Sequence, residues 1–177
     1  RIDSDLWKLI NEQGWLALDV PEDDGGLGFS TVEASILSEV SGYYLPIIPL
    51  FSSGVVFKHL LMNSNTDIKN KLLPEIISGE KIGTFALYES DKYEIGDDTI
   101  GSNLASSGDG MLLNGTKKYV MFGDVSDYIA VLTKSNDGFK FVLVEAKQQG
   151  VEIVQTPSLD QSRPLAEITF TDVVIEP

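Results

Sequence analysis

The stretch Lys71 to Leu87, KLLPEIISGEKIGTFAL, changes its hydrophobic period partway along. Up to Gly79 the apolar residues Leu72, Ile76 and Ile77, with Ile68 one turn earlier, recur at helical spacing. From Ile82 onward the period falls from about 3.6 to about 2, the alternation of a strand. The switch predicts an N-terminal α-helical bundle over residues 1–81 and an antiparallel β-sandwich or barrel over residues 82–177, an α+β chain of two domains.

Working back from the switch, the helical half has its own start and stop signals. SDLWKLINEQGW follows the possible cap Ser4 with Leu6, Leu9 and Ile10, and Gly14 is a natural stop. Ser30 and Glu33 have the spacing of a capping box ahead of Val32, Ile36, Leu37 and Val40, with Gly42 as the expected end. Pro46 or Pro49 suits the first turn of a third helix, and Pro74 interrupts the fourth. Working forward, eight strand-like runs follow, among them IGTFALY, SNLASS, GMLLNG, KKYVMF and DYIAVLTK. Gly108-Asp109-Gly110, Asn114-Gly115 and Asp137-Gly138 read as the turns between them.

Composition narrows the chemistry. With 177 residues, 42% of them apolar, the chain can bury one sizeable core or two small ones. Twenty-seven acidic against thirteen basic residues give a formal charge of -14, which repels nucleic acid and anionic lipid. Having no cysteine and one histidine, His59, the chain has no disulfide, no thiol nucleophile and none of the usual zinc ligand sets; this fits a reducing compartment, and a cytoplasmic protein is expected. LPIIPLFSSGVVFKHLL is broken by Pro46, Pro49, Gly54 and Lys58, so no membrane span is expected. Hard chemistry then falls to carboxylates or to a borrowed cofactor.

Four stretches carry a resemblance: GWLALDVPEDDGGLGFSTVEASILSEVSGYYLP, KLLPEIISGEKIGTFAL, LLNGTKKYVMFGDVSDYIAVL and ITFTDVVIEP. In order and spacing they resemble the acyl-CoA dehydrogenases over nearly the whole chain. The resemblance implies an FAD-dependent flavoprotein that removes the α proton and β hydride of an acyl-CoA thioester in fatty acid metabolism. It also implies an electron-transfer flavoprotein or similar acceptor and a homo- or hetero-oligomer. It places TFALYES and KKYVMFG against the flavin ring, with Phe85, Leu87 and Tyr88 from the first and Tyr119 and Met121 from the second as cofactor-binding residues. Tyr119 stands where the family usually has tryptophan. The chain departs from the family in reading Tyr88-Glu89-Ser90 in place of Thr-Glu-Pro, and Met121 in place of a hydroxyl residue.

By the same resemblance the catalytic glutamate belongs to a helical domain beyond Pro177, so the chain is expected to be a fragment with no catalytic residue of its own. Glu89 is expected to be a solvent-facing loop carboxylate. The departures open an alternative: a non-catalytic, acyl-CoA dehydrogenase-like partner subunit with weak or no flavin binding. Alternating residues such as Phe85, Leu87, Tyr119 and Met121 are equally at home in a strand core. GGLG at Gly25 to Gly28 is read as a tight loop ahead of an anion nest. The apolar run GYYLPIIPLFSS is read as bundle core ahead of an acyl tunnel, His59 as a structural or exposed helix residue, and the acidic run Glu89, Asp91, Glu94, Asp97 and Asp98 as a solvated face.

Overall fold

A computed structural model describes residues 2–91, 94–96, 98–107, 110–135 and 138–175. The chain forms two compact units, Arg1–Gly83 with Asp160–Arg163, and Thr84–Leu159 with Pro164–Pro177.

In the first unit α1 (Ser4–Glu12) is capped by Asp3, whose carboxylate accepts from the Leu6 amide at 3.0 Å, one residue ahead of the expected Ser4. Trp7 and Ile10 are the buried pair, and Leu9 faces out. The capping box at Ser30 and Glu33 is formed at the start of α2 (Thr31–Tyr44). That helix runs through Gly42 and stops at Leu45, whose backbone takes the left-handed conformation (φ 48°). A glycine in mid-helix costs about 1 kcal/mol but does not by itself break the hydrogen-bond ladder. No α2 residue is buried; its stripe of Val32, Ile36 and Val40 is exposed. Tyr43, Tyr44, Leu45 and Phe51 are exposed as well, so from GYYLPIIPLFSS the core receives Ile48, Pro49, Ser52 and Ser53.

Pro49 precedes a π-helical segment, Leu50–Phe57, that continues as α3 (Lys58–Met62). α4 (Thr66–Ile77) runs on through Pro74 and buries Leu72, Leu73, Ile76 and Ile77. Gly79 (φ 72°) lies under the Asn11 side chain, where a Cβ would meet Nδ2 at 1.8 Å. Val20, Leu73 and Ile77 form one packed cluster. The cap of α4 is Asn65, whose side-chain oxygen accepts from the Ile68 amide at 2.8 Å. Asn65→Ala should therefore cost about 1 kcal/mol, measured by urea unfolding, because one amide of a core helix loses its acceptor; an unchanged midpoint would show that the cap contributes nothing.

The second unit holds a seven-stranded mixed sheet in the order β1-β4-β2-β3-β7-β6, with β5 also on β4. The strands are β1 (Gly83–Ala86), β2 (Asn103–Ser107), β3 (Gly110–Met121), β4 (Tyr128–Ser135), β5 (Gly138–Glu145), β6 (Val151–Thr156) and β7 (Leu165–Ile175). Most pairings are antiparallel; β2 and β4 meet in parallel register at Asn103 and Lys134. The core is one cluster built around Leu113, Val120, Ile129, Val131, Ile168 and Phe170.

GMLLNG and KKYVMF are one strand, not two. Asn114-Gly115 is not a hairpin turn but an irregularity inside β3, where the register against β7 slips between Leu113 and Gly115. The reason is close approach: a Cβ on Gly115 (φ 147°) would lie 2.2 Å from Ser102 Oγ. Asn114 reaches across to Asp172, donating to its carboxylate at 3.0 Å and accepting from its amide at 2.9 Å. Of the other expected turns and the acidic run, Gly108, Asp109, Asp137 and Asp97 lie outside the described residues.

Candidate functional site

The two stretches singled out in the sequence lie side by side in the β unit. Thr84 Oγ1 donates to the Met121 carbonyl at 2.6 Å, and the Lys118 amide donates to the Tyr88 carbonyl at 2.7 Å. Along the first stretch Ala86 is buried while Phe85, Leu87 and Tyr88 are half-buried. Along the second, Val120 and Phe122 are buried while Tyr119 and Met121 are half-buried. The five candidates therefore stand outside the core cluster, and their neighbours Ala86 and Val120 belong to it. They form a partly covered apolar ledge.

A bulge makes this arrangement possible. Strict alternation would put Lys117, Tyr119 and Met121 on one face. The β3–β7 register slips between Lys117 and Val120, and Tyr119 takes φ 58°, so Lys117 is buried along with Val120 while Tyr119 and Met121 stay half-buried. The phenol of Tyr119 donates to Asp91 Oδ1 at 2.8 Å, and Lys118 Nζ reaches the same oxygen at 3.1 Å. These two donors hold the Asp91 carboxyl below its usual range, the Tyr119 hydroxyl contributing most.

Glu89 is not the solvent-facing loop carboxylate its sequence context suggests. Its Oε1 takes a hydrogen bond from Lys117 Nζ at 2.7 Å, Oε2 one from the Gly101 amide at 2.7 Å, and the Ser102 amide reaches both oxygens at 3.0 and 3.2 Å. Lys117 has 0% side-chain exposure and Glu89 14%. Burial works against the Glu89 charge, but Lys117, Ser102 and Gly101 outweigh it and hold the carboxyl below its ordinary value. Burial pulls the Lys117 ammonium below the ordinary lysine value, with Glu89 acting in the opposite direction. Sequence reasoning missed Lys117 because strict alternation assigns it to the outer face. No local signal was available, because Lys117 and its carboxylate partner Glu89 are 28 positions apart in the chain.

Other candidates resolve as structural. Every amide from Gly25 to Phe29 donates to a backbone carbonyl of residues 17–22 at 2.9 to 3.0 Å, which leaves none for an anion at GGLG. His59 is half-exposed; its Nδ1 lies 2.7 Å from the Val55 carbonyl and its Nε2 3.4 Å from Asp19, which also pairs with the buried Lys58. Among the described residues no group of three or more His, Cys, Asp or Glu could hold a metal ion.

Comparisons with known proteins point to a family. The acyl-CoA dehydrogenase N-terminal domain matches residues 1–80. Acyl-CoA dehydrogenase FadE27 of Mycobacterium tuberculosis is 29% identical over 86% of this chain, and the long-chain specific mitochondrial acyl-CoA dehydrogenase of Rattus norvegicus is 26% identical over 98%. Among solved structures, the ChsE4-ChsE5 complex from Mycobacterium tuberculosis superposes with a TM-score of 0.89 at 24% identity, over 99% of this chain and 47% of that one. A glutaryl-CoA dehydrogenase from Mycobacterium smegmatis in complex with FADH2 gives 0.83 at 20% identity, over 98% and 46%. The family model over residues 1–80, the curated relatives and the shared fold all support the acyl-CoA dehydrogenase family. It spans 40% and 43% of the two curated relatives.

Proposed function

We propose that the protein is an FAD-dependent acyl-CoA dehydrogenase, an oxidoreductase that desaturates an acyl-CoA thioester between its α and β carbons. In this reading residues 1–81 are its N-terminal helical domain and residues 82–177 its middle β domain. The observation that carries it is the ledge: Phe85, Leu87, Tyr88, Tyr119 and Met121 lie half-buried beside a core that does not contain them. Bound FAD supplies the hydride acceptor. The chain's own part is to lay a flat apolar wall against the flavin, excluding water and fixing its orientation, with Thr84 tying the two strands of the wall together.

The base that takes the α proton is assigned to no residue of this chain. Glu89 is committed to Lys117 and two amides, and Asp91 to Tyr119 and Lys118. An electron-transfer flavoprotein or similar acceptor, a homo- or hetero-oligomeric assembly and a cytoplasmic location complete the proposal. Among the described residues no helix is long and apolar enough to cross a membrane.

Met121 favours a second reading, the non-catalytic partner subunit. A thioether offers the ring no hydroxyl donor. Met121→Thr separates the two. On the first reading, a restored hydroxyl tightens FAD binding about two- to tenfold, the worth of one net hydrogen bond, and shifts the visible flavin spectrum. The test is FAD titration of the complete protein and its variant. Wild type that stays colourless in excess FAD, with Met121→Thr no better, overturns the enzyme reading in favour of the partner.

A further inference from the structure

Lys117 is fully buried in a strand, where a leucine or methionine would fill the same space without the desolvation penalty of a charge. Its ammonium makes two bonds with different consequences. One goes to Glu89, and the other, at 3.2 Å, goes to the carbonyl of Leu87. β1 ends at Ala86, so Leu87, Tyr88 and Glu89 run on without a strand ladder of their own. They are anchored instead at three successive points. Lys117 Nζ holds the Leu87 carbonyl, the Lys118 amide holds the Tyr88 carbonyl, and the Gly101 and Ser102 amides hold the Glu89 carboxylate.

We propose that Lys117 and Glu89 are positioning residues. Together they fix the backbone course of residues 87–89 and so set Leu87 and Tyr88 at a defined spacing from Tyr119 and Met121 across the ledge. The role of that spacing in seating a flavin rests on the reading given under Proposed function. A trans peptide turns as a rigid plane, so holding two successive carbonyls narrows the φ and ψ range open to the segment. The bulge serves the same end: by turning Lys117 inward and Tyr119 outward, it lets adjacent stretches of β3 grip the segment from below and face it across the ledge. A purely stabilising role needs no bond to Leu87; a positioning role does.

The test uses the full chain and three variants. Lys117→Met removes both bonds. Lys117→Met with Glu89→Gln removes the stranded charge as well, so stability recovers, while the Leu87 carbonyl stays unheld. Val173→Ala loosens the same core from β7, away from the ledge. Hydrogen exchange should show protection lost by about tenfold or more at the Lys118, Gly101 and Ser102 amides in Lys117→Met, with Leu113 and Val120 still protected. Val173→Ala should lower protection broadly instead. FAD affinity should fall about tenfold in Lys117→Met and stay low in the double variant despite its recovered stability, with Val173→Ala unchanged. Affinity that recovers with stability, or exchange that rises uniformly across β3, overturns the proposal. If wild type takes up no FAD, the flavin reading fails, and the exchange pattern alone decides the positioning role.

Discussion

Gly26→Ala should cost the helical unit about 4 kcal/mol or more, a large share of the roughly 5–15 kcal/mol that holds a domain of ordinary stability folded. A Cβ built on Gly26 would lie 2.0 Å from the Val20 carbonyl oxygen and 2.4 Å from its carbonyl carbon. The obstacle is backbone, so no rotamer change relieves it. The loop cannot shift as a body either, because the amides of Gly25 to Phe29 are all engaged by residues 17–22, Gly28 by Val20 itself at 2.9 Å. Moving Gly26 away would break several of these bonds at once, each leaving an unpaired group. Gly42→Ala is the contrast: nothing lies within 4 Å of its added Cβ, and in the last turn of α2 the change should stabilise. Circular dichroism during thermal unfolding of both variants checks the pair. A Gly26→Ala chain as stable as wild type would mean that the loop tolerates a different course.

The second large effect belongs to the buried ion pair. Glu89→Ala leaves the Lys117 ammonium without its carboxylate, and breaking one side of a buried pair costs about 3 to 5 kcal/mol. The same pair gives a pH signature whose sign follows from the direction of the Glu89 shift. Its folded-state value lies below the ordinary 4.5, so the folded state holds that proton less tightly than the unfolded chain does. The stabilisation is complete above the ordinary value and is lost as pH falls through the lowered one. Glu89→Gln removes this titration. The stability gap between wild type and Glu89→Gln should be constant near neutrality and narrow steadily with acidification below the ordinary carboxylate value, in urea unfolding at a series of pH values. A gap independent of pH over that range would mean that Glu89 is not held as an anion by Lys117 and its two amides.

Local signals in the sequence were sufficient wherever one element's own chemistry decided its shape. The period change between Gly79 and Ile82 separates the α-helical elements from the β-strands, because 3.6-fold and two-fold side-chain repeats are properties of the backbone itself. The capping box at Ser30 and Glu33 formed because both partners lie within one turn. Alternation in TFAL and YVM sorts the buried Ala86 and Val120 from their half-buried neighbours Phe85, Leu87, Tyr119 and Met121, while the proposal that these neighbours face a flavin rests on the family resemblance.

Only tertiary structure could decide features that depend on residues far apart in the chain. Asn114-Gly115 has the composition of a turn, yet Ser102, packed close over Gly115, and Asp172, bonded to Asn114, hold it inside a continuous strand. Glu89 and Lys117 are 28 positions apart, and no local pattern predicts that a loop carboxylate and a strand lysine will be buried together. The α2 stripe of Val32, Ile36 and Val40 has the spacing of a core face and is exposed in the structure. Periodicity shows which side chains share a face; what covers that face is set by packing partners that the local sequence does not contain.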